Sequence, residues 1–228
     1  MASSALVRGR YAGCCFWGFS CAWFRVAYFE IFETNILSVM KLAVFGHSYV
    51  RDLSSLQVFS LEFGSEYHLE VSYFGFAGAR FTTFLTNPDL LSDLVAYGPE
   101  CILVILGGND FSSQVPLSDV CKSCKEFYKL LKEKLPSAKI YATQVELRFY
   151  KTPNRFCSLD SVTYKKVSGY FNAFLKKIKV IDRLICILGP NRLSNESFYK
   201  ADGVHLNAAG LRRLFEIIRS ALENILRK

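Results

Sequence analysis

The chain has 228 residues, of which 51% are hydrophobic and 15% aromatic, and its formal net charge at pH 7 is +8. This length allows one substantial core, and this composition excludes an intrinsically disordered protein. Basic residues are spread along helical stretches such as residues 122–134 and 165–179, without the arginine-rich motif of a nucleic-acid binder. We therefore interpret the positive charge as a solvated basic surface that attracts anionic partners only weakly.

The first 39 residues differ from the rest of the chain. Arg8 and Arg10 precede an apolar, aromatic stretch at residues 11–24, which is too short and too interrupted for a secure transmembrane helix. A signal or anchor segment, an extension outside the fold, and an upstream extension of the coding sequence all remain open. We interpret residues 1–39 as an N-terminal extension of uncertain status and residues 40–228 as a single domain.

Eight cysteines raise the question of disulfide bonds. Cys101 and Cys186 lie in apolar runs predicted to be central strands, where a free cysteine behaves as a small hydrophobic residue. Cys121 and Cys124 form a C-x-x-C pair within a helical pattern, and without a second pair they do not predict a metal site. We expect a reducing compartment and a cytoplasmic protein, although the N-terminal segment leaves a signal or anchor open.

Strands and helices alternate from residue 40 onward. Apolar runs and alternating patterns predict strands at residues 42–45, 67–73, 101–106, 140–145 and 184–188. Helical spacing predicts helices at residues 48–59, 81–85, 90–96, 117–135, 161–178 and 208–226, the last capped by Asn207. Such alternation predicts an α/β fold: a three-layer α/β/α domain with a mostly parallel five-stranded sheet and flavodoxin-like winding.

Gly46-His47-Ser48 stands between the first predicted strand and the first predicted helix. This arrangement exposes a hydroxyl at the carboxyl end of a strand, which is where open α/β sheets bind their ligands. The same hydroxyl lies at a helix N-terminus, where developing negative charge is favoured. Taken alone, the pattern also fits a serine that only caps the helix.

Loops after three other predicted strands carry polar residues or glycines. Gly78 follows the second strand, Gly107-Gly108-Asn109-Asp110 the third, and Asp202-Gly203-Val204-His205 the fifth. Each could be an ordinary turn. In a parallel sheet, however, all these loops lie at one edge, so we expect them to converge with Ser48.

Together these residue types suit acyl transfer. Serine is a poor nucleophile at its own pKa and needs an adjacent base, for which we assign His205. Asp202 would hold the imidazole tautomer and stabilise the imidazolium. The amides of Ser48 and Gly78 and the side-chain nitrogen of Asn109 would form an oxyanion hole.

The four motifs resemble the conserved blocks of the SGNH hydrolases, also called the GDSL-type esterase/lipase superfamily. The blocks are Gly46-His47-Ser48, Gly78-Ala79-Arg80, Gly107-Gly108-Asn109-Asp110 and Asp202-Gly203-Val204-His205. The resemblance runs from about residue 40 to the end of the chain. It implies Ser48 as nucleophile, Gly78 and Asn109 in the oxyanion hole, and His205 as base backed by Asp202. It implies neither a metal nor another cofactor.

His47 departs from the family pattern, which usually has aspartate at this position. Similar variants occur in the esterase domains of some retrotransposons. Arg80 and Arg148 lie in loops that would shape a substrate pocket, although solvated surface arginines are commoner.

The sequence thus predicts a serine esterase acting on a small-molecule ester, with acetyl and short acyl esters as candidates. Two alternatives remain: an inactive SGNH-fold binding module, and a retroelement-derived esterase-like domain that contacts RNA or lipid. The oligomeric state is open.

Overall fold

A computed structural model describes residues 39–55, 62–63, 67–112, 115–149 and 159–226. Apart from Val39, the predicted N-terminal extension lies outside these residues, so its status stays a prediction. None of the helices in this part of the chain has the length and apolarity needed to cross a bilayer.

Six strands form one sheet. They are β1 (Val39–Gly46), β2 (Glu62–Phe63), β3 (Tyr67–Gly75), β4 (Cys101–Ile105), β5 (Lys139–Thr143) and β6 (Arg183–Ile185). Their order across the sheet is β2-β3-β1-β4-β5-β6, and all neighbours are parallel except β2, which pairs antiparallel with β3. Counting only the parallel strands, the order is 2-1-3-4-5, the flavodoxin-like order. The predicted parallel five-stranded sheet and its winding are confirmed.

Helices connect the parallel strands, and the last helix follows β6. They are α1 (Ser48–Ser54), α2 (Phe81–Thr86), α3 (Ser92–Tyr97), α4 (Leu117–Lys134), α5 (Ser161–Leu175) and α6 (Ala208–Leu226). The predicted cap of the last helix is confirmed, because Asn207 Oδ1 accepts a hydrogen bond from the Gly210 amide at 2.9 Å. The sequence predicted the first helix to residue 59, whereas α1 ends at Ser54 and residues 56–60 lie outside the described ranges.

The core consists of two apolar layers, one on each face of the sheet. Along β1, Ala43 and Phe45 face one layer, while Leu42 and Val44 face the other. The first layer is filled from α2, α4 and α5, including Phe84, Phe127 and Phe171. The second is filled from α1 and α6, including Val50, Leu53, Leu214 and Leu222. Helices on both faces give the predicted three layers, with the strand ends left to carry loops.

β6 is shorter than the sequence predicted. It ends at Ile185 because the chain beyond it bonds elsewhere: the Ile187 carbonyl accepts from the Leu193 amide at 3.1 Å. Cys186 is therefore exposed, and its predicted place in a central strand is wrong. Cys101 is buried in β4 as predicted, and all four cysteines within the described ranges are free.

Candidate active site

The loops that carry the sequence motifs start side by side. Gly46 at the end of β1 pairs in register with Gly75 on β3 and with Ile105 on β4. The backbones are so close that a Cβ on Gly46 would lie 1.9 Å from the Ile105 carbonyl oxygen. A glycine is required there, and this contact brings the loops of Ser48, Gly78 and Asn109 to one edge of the sheet.

Ser48 is the first residue of α1 and is 8% exposed. The helix is capped by His47, whose Nδ1 accepts a hydrogen bond from the Tyr49 amide at 3.4 Å. Serine as the helix cap, the alternative that the sequence left open, is therefore wrong. The Ser48 hydroxyl is not needed to cap the N-terminus of α1.

Asp202 and His205 form a direct side-chain hydrogen bond. Asp202 Oδ2 lies 2.8 Å from His205 Nδ1, while Asp202 Oδ1 accepts the amides of Val204 and His205 at 2.8 and 2.9 Å. Burial raises the pKa of Asp202, but the hydrogen bonds from His205 and Val204 outweigh it and hold the pKa below its usual range. The charged carboxylate favours a proton on Nδ1, which leaves Nε2 as the basic nitrogen of the neutral ring.

The loop of His205 is tied to the helix of Ser48. The hydroxyl of buried Tyr49 donates to the Val204 carbonyl at 2.5 Å. From the other side, the Phe149 amide donates to the Gly203 carbonyl at 2.7 Å. The residue after Ser48 thus holds the residue before His205, although 155 positions separate the two bonded residues.

The loop of Asn109 contacts the loop of Gly78. Gly78 has the left-handed φ of +69°, and a Cβ built on it would have no neighbour within 4 Å. The Asn109 side chain donates from Nδ2 to the Ala79 carbonyl at 3.1 Å. An amide NH₂ has two hydrogens, so this bond orients Asn109 and leaves it a second donor.

Arg148 lies in the interior, which corrects its interpretation as a substrate-facing or solvated residue. It is 4% exposed, its Nη2 donates to the Gly108 carbonyl at 2.7 Å, and its guanidinium lies 4.9 Å from the centre of the Tyr164 ring. The same Nη2 lies 3.3 Å from Asn109 Oδ1. Arg148 thus supports the turn of Asn109 and fixes which way its amide points.

Glu146 lies outside the four sequence motifs and was not predicted. This carboxylate follows β5, is 3% exposed, and lies 3.8 Å from His47 Nε2. Burial raises its pKa, but His47 and the Arg148 charge outweigh burial, and the pKa of Glu146 lies below its usual range. The signal available in the sequence was an acidic residue at the carboxyl end of a predicted parallel strand.

Asp110 is a second buried carboxylate, and we expect its ionisation to lower the free energy of unfolding. Its Oδ1 accepts the Phe81 amide at 3.1 Å, whereas Oδ2 has no hydrogen-bond partner among the residues that the structure describes. Burial raises the pKa of Asp110 to about 7. Between about pH 4 and 7 the folded state therefore holds a proton that the unfolded state has released. The free energy of unfolding decreases by ~1.4 kcal/mol for each unit that the pH rises in this range.

We expect Asp110→Asn to remove this loss. The difference in the free energy of unfolding between the variant and wild type should therefore shift in favour of the variant as pH rises from 5 to 8. Chemical denaturation at both pH values measures the difference. Asp89→Asn, at an exposed aspartate, is the control and should follow wild type. An equal pH dependence for Asp110→Asn and wild type would contradict the prediction.

Within the described ranges, no group of three or more His, Cys, Asp or Glu side chains could hold a metal ion. The loops described above carry a hydroxyl, an imidazole–carboxylate pair, an amide side chain and backbone amides. These are the groups that acyl transfer uses.

The sequence profile of the GDSL-like Lipase/Acylhydrolase family matches residues 52–213, which is more than half of the chain. The chain therefore belongs to this family of hydrolases. The matched segment contains Gly78, Asn109, Asp202 and His205, and it begins after Ser48. No curated protein matches the sequence.

Solved structures share the fold at low sequence identity. A GDSL-like lipase from Bacteroides thetaiotaomicron is 16% identical, with a TM-score of 0.58 over 81% of this chain and 88% of that one. A lipase/acylhydrolase from Enterococcus faecalis is 15% identical, with a TM-score of 0.56 over 81% and 96%. A carbohydrate esterase family 3 protein from Talaromyces cellulolyticus is 13% identical, with a TM-score of 0.57 over 82% and 98%.

Proposed function

We propose that this protein is a serine hydrolase that cleaves the ester bond of a small molecule. The observation that carries the proposal is the Asp202–His205 hydrogen bond at 2.8 Å, in a loop that Tyr49 ties to the helix of Ser48. A carboxylate that orients an imidazole supports the proposal, because such a pair activates a hydroxyl nucleophile, for which we assign Ser48 at the N-terminus of α1.

In the proposed reaction, Ser48 Oγ attacks the ester carbonyl while His205 Nε2 accepts the hydroxyl proton. Asp202 stays ionised and stabilises the imidazolium that forms. The tetrahedral intermediate collapses when His205 gives the proton to the leaving alcohol. Water, activated by the same imidazole, then releases the acid and restores Ser48.

The oxyanion of the tetrahedral intermediate would be bound by three donors: the amides of Ser48 and Gly78 and the second hydrogen of Asn109 Nδ2. The open space beside Gly78 supports this assignment, because a substrate oxygen can approach the backbone there. The bonds from Asn109 to Ala79 and from Arg148 to Asn109 support it too, because they orient the amide before substrate arrives.

Acetyl and short acyl esters are the substrates that we propose to test first. The names of the similar structures include a lipase and a carbohydrate esterase, which supports ester chemistry without indicating the acyl group. Hydrolysis of p-nitrophenyl acetate, butyrate and octanoate, compared by kcat/KM, distinguishes an acetyl preference from a long-chain lipase.

Labelling by a fluorophosphonate probe tests the function directly. The probe reacts with activated serines, and peptide mass spectrometry should locate the adduct at Ser48. Folded wild-type protein that stays unlabelled and hydrolyses no ester would overturn the proposal in favour of the alternative, a binding module on the same fold.

Asn109→Ala is expected to lower kcat for ester hydrolysis by ~10²–10³-fold, because it removes one oxyanion donor. Asn109→Asp should lose more, because its carboxylate removes the donors and repels both the oxyanion and the Ala79 carbonyl. Asn224→Ala, at an exposed asparagine of α6, is the matched control. If Asn109→Ala raised KM and left kcat unchanged, the amide would bind substrate rather than the oxyanion.

A further inference from the structure

A buried charged cluster lies behind the proposed site. His47 and Glu146 are 2% and 3% exposed, and their nearest charged atoms, Nε2 and Oε1, are 3.8 Å apart. An ionised carboxylate is costly to bury unless other charges or donors face it. Arg148, itself buried, is a cation whose charge acts on Glu146.

His47 links Glu146 to the serine turn. Because Nδ1 accepts from the Tyr49 amide, the neutral ring carries its hydrogen on Nε2, the atom that faces Glu146. Within the described ranges Nε2 has no hydrogen-bond partner, and the Glu146 carboxylate lies 3.8 Å from it. The ring also packs edge-on against Tyr49, with centroids 4.9 Å apart.

Glu146 also touches the turn of Asn109. A Cβ built on Gly108 would lie 2.0 Å from Glu146 Oε1, so the carboxylate packs directly against the Gly108 backbone. On the carbonyl side of the same residue, Gly108 accepts the hydrogen bond from Arg148. Gly108 is thus held between a carboxylate and a guanidinium, one residue before the proposed oxyanion donor.

We propose that Glu146 is a positioning residue of the hydrolase. It contacts His47 in the turn of Ser48 and Gly108 in the turn of Asn109, and it thereby fixes the two turns relative to each other. This inference rests on the proposed function. The family usually has aspartate at position 47, whereas this chain has an imidazole there, and the carboxylate beside it comes from Glu146. Neither Glu146 nor His47 reacts with substrate; the pair sets the separation between nucleophile and oxyanion donor.

Glu146→Gln tests the inference, because it keeps the side-chain shape and removes the charge. We expect kcat and the rate of fluorophosphonate labelling to fall ~10–100-fold with little change in KM, since small displacements of reacting groups cost about this much. Glu133→Gln, at an exposed glutamate of α4, is the matched control and should behave as wild type.

A rescue experiment separates positioning from a general loss of stability. His47→Asp restores the usual family residue but places two carboxylates together, so it should lower the labelling rate more than Glu146→Gln does. The double variant His47→Asp/Glu146→Gln removes the repulsion and should recover at least about tenfold over His47→Asp. Thermal melts of all variants identify any that fail to fold.

The outcomes are distinct. Additive losses without rescue, or full activity of Glu146→Gln, would overturn the positioning role while wild-type labelling at Ser48 left the proposed function intact. An unlabelled wild-type protein would overturn both.

Discussion

Ser48→Ala should abolish fluorophosphonate labelling and lower ester hydrolysis by ~10³-fold or more, because no other group replaces the attacking oxygen. Stability should change little. His47 caps α1, and alanine is a better helix former than serine at the first helical position. Steady-state kinetics with p-nitrophenyl acetate and a thermal melt measure the two effects.

Ser54→Ala is the control for this variant. It removes a hydroxyl from the same helix, at an exposed serine whose Oγ donates to the Arg51 carbonyl. It should keep full activity and labelling. Turnover by Ser48→Ala at the wild-type rate would mean that another group is the nucleophile.

Asp202→Asn should lower kcat by ~10³–10⁴-fold, with a smaller effect on KM. The amide oxygen can still accept the Val204 amide, so the loop should keep its shape, but the charge beside His205 Nδ1 is lost. The imidazolium of the transition state then lacks its counter-ion, and the ring can adopt the wrong tautomer. His205→Gln should lose a comparable factor, because it removes the base itself.

Asp160→Asn is a close control for Asp202→Asn. Asp160 caps the N-terminus of α5, where its Oδ1 accepts the amides of Val162 and Thr163. Asp202 Oδ1 accepts two successive amides in the same way, those of Val204 and His205. Among the described contacts Asp160 bonds only to Val162 and Thr163, and its replacement should alter stability without altering kcat. Equal kinetics for Asp202→Asn and Asp160→Asn would rule out a catalytic role for the Asp202 charge.

The fold could be predicted because its signals are local. The apolar run that became β4 and the helical spacing of α4 and α6 each fix one element from adjacent residues. The end of β6 was wrong because an apolar run does not reveal whether its backbone bonds to a strand or to a loop. β2, with two residues, is too short for any periodicity to show.

The site was predictable only where strand ends carried motifs. Asp202 and His205 are three positions apart, so one turn of chain brings them together. Glu146 was missed because its partner His47 lies about a hundred positions away, and no spacing rule relates them. Tyr49 and Arg148 were missed or misread for the same reason, since each bonds to a carbonyl that only the folded chain brings near.

The sheet ends in strands of two residues, β2, and three residues, β6. A long, flat outer strand offers unpaired backbone on which another chain can add its own strand, a common start of aggregation. Strands this short offer few such groups, and β2 shields part of β3, the nine-residue strand beside it. β6 therefore offers a neighbouring copy little backbone, whereas within the described residues positions 69–75 of β3 have no strand partner on the β2 side and are where such pairing would start.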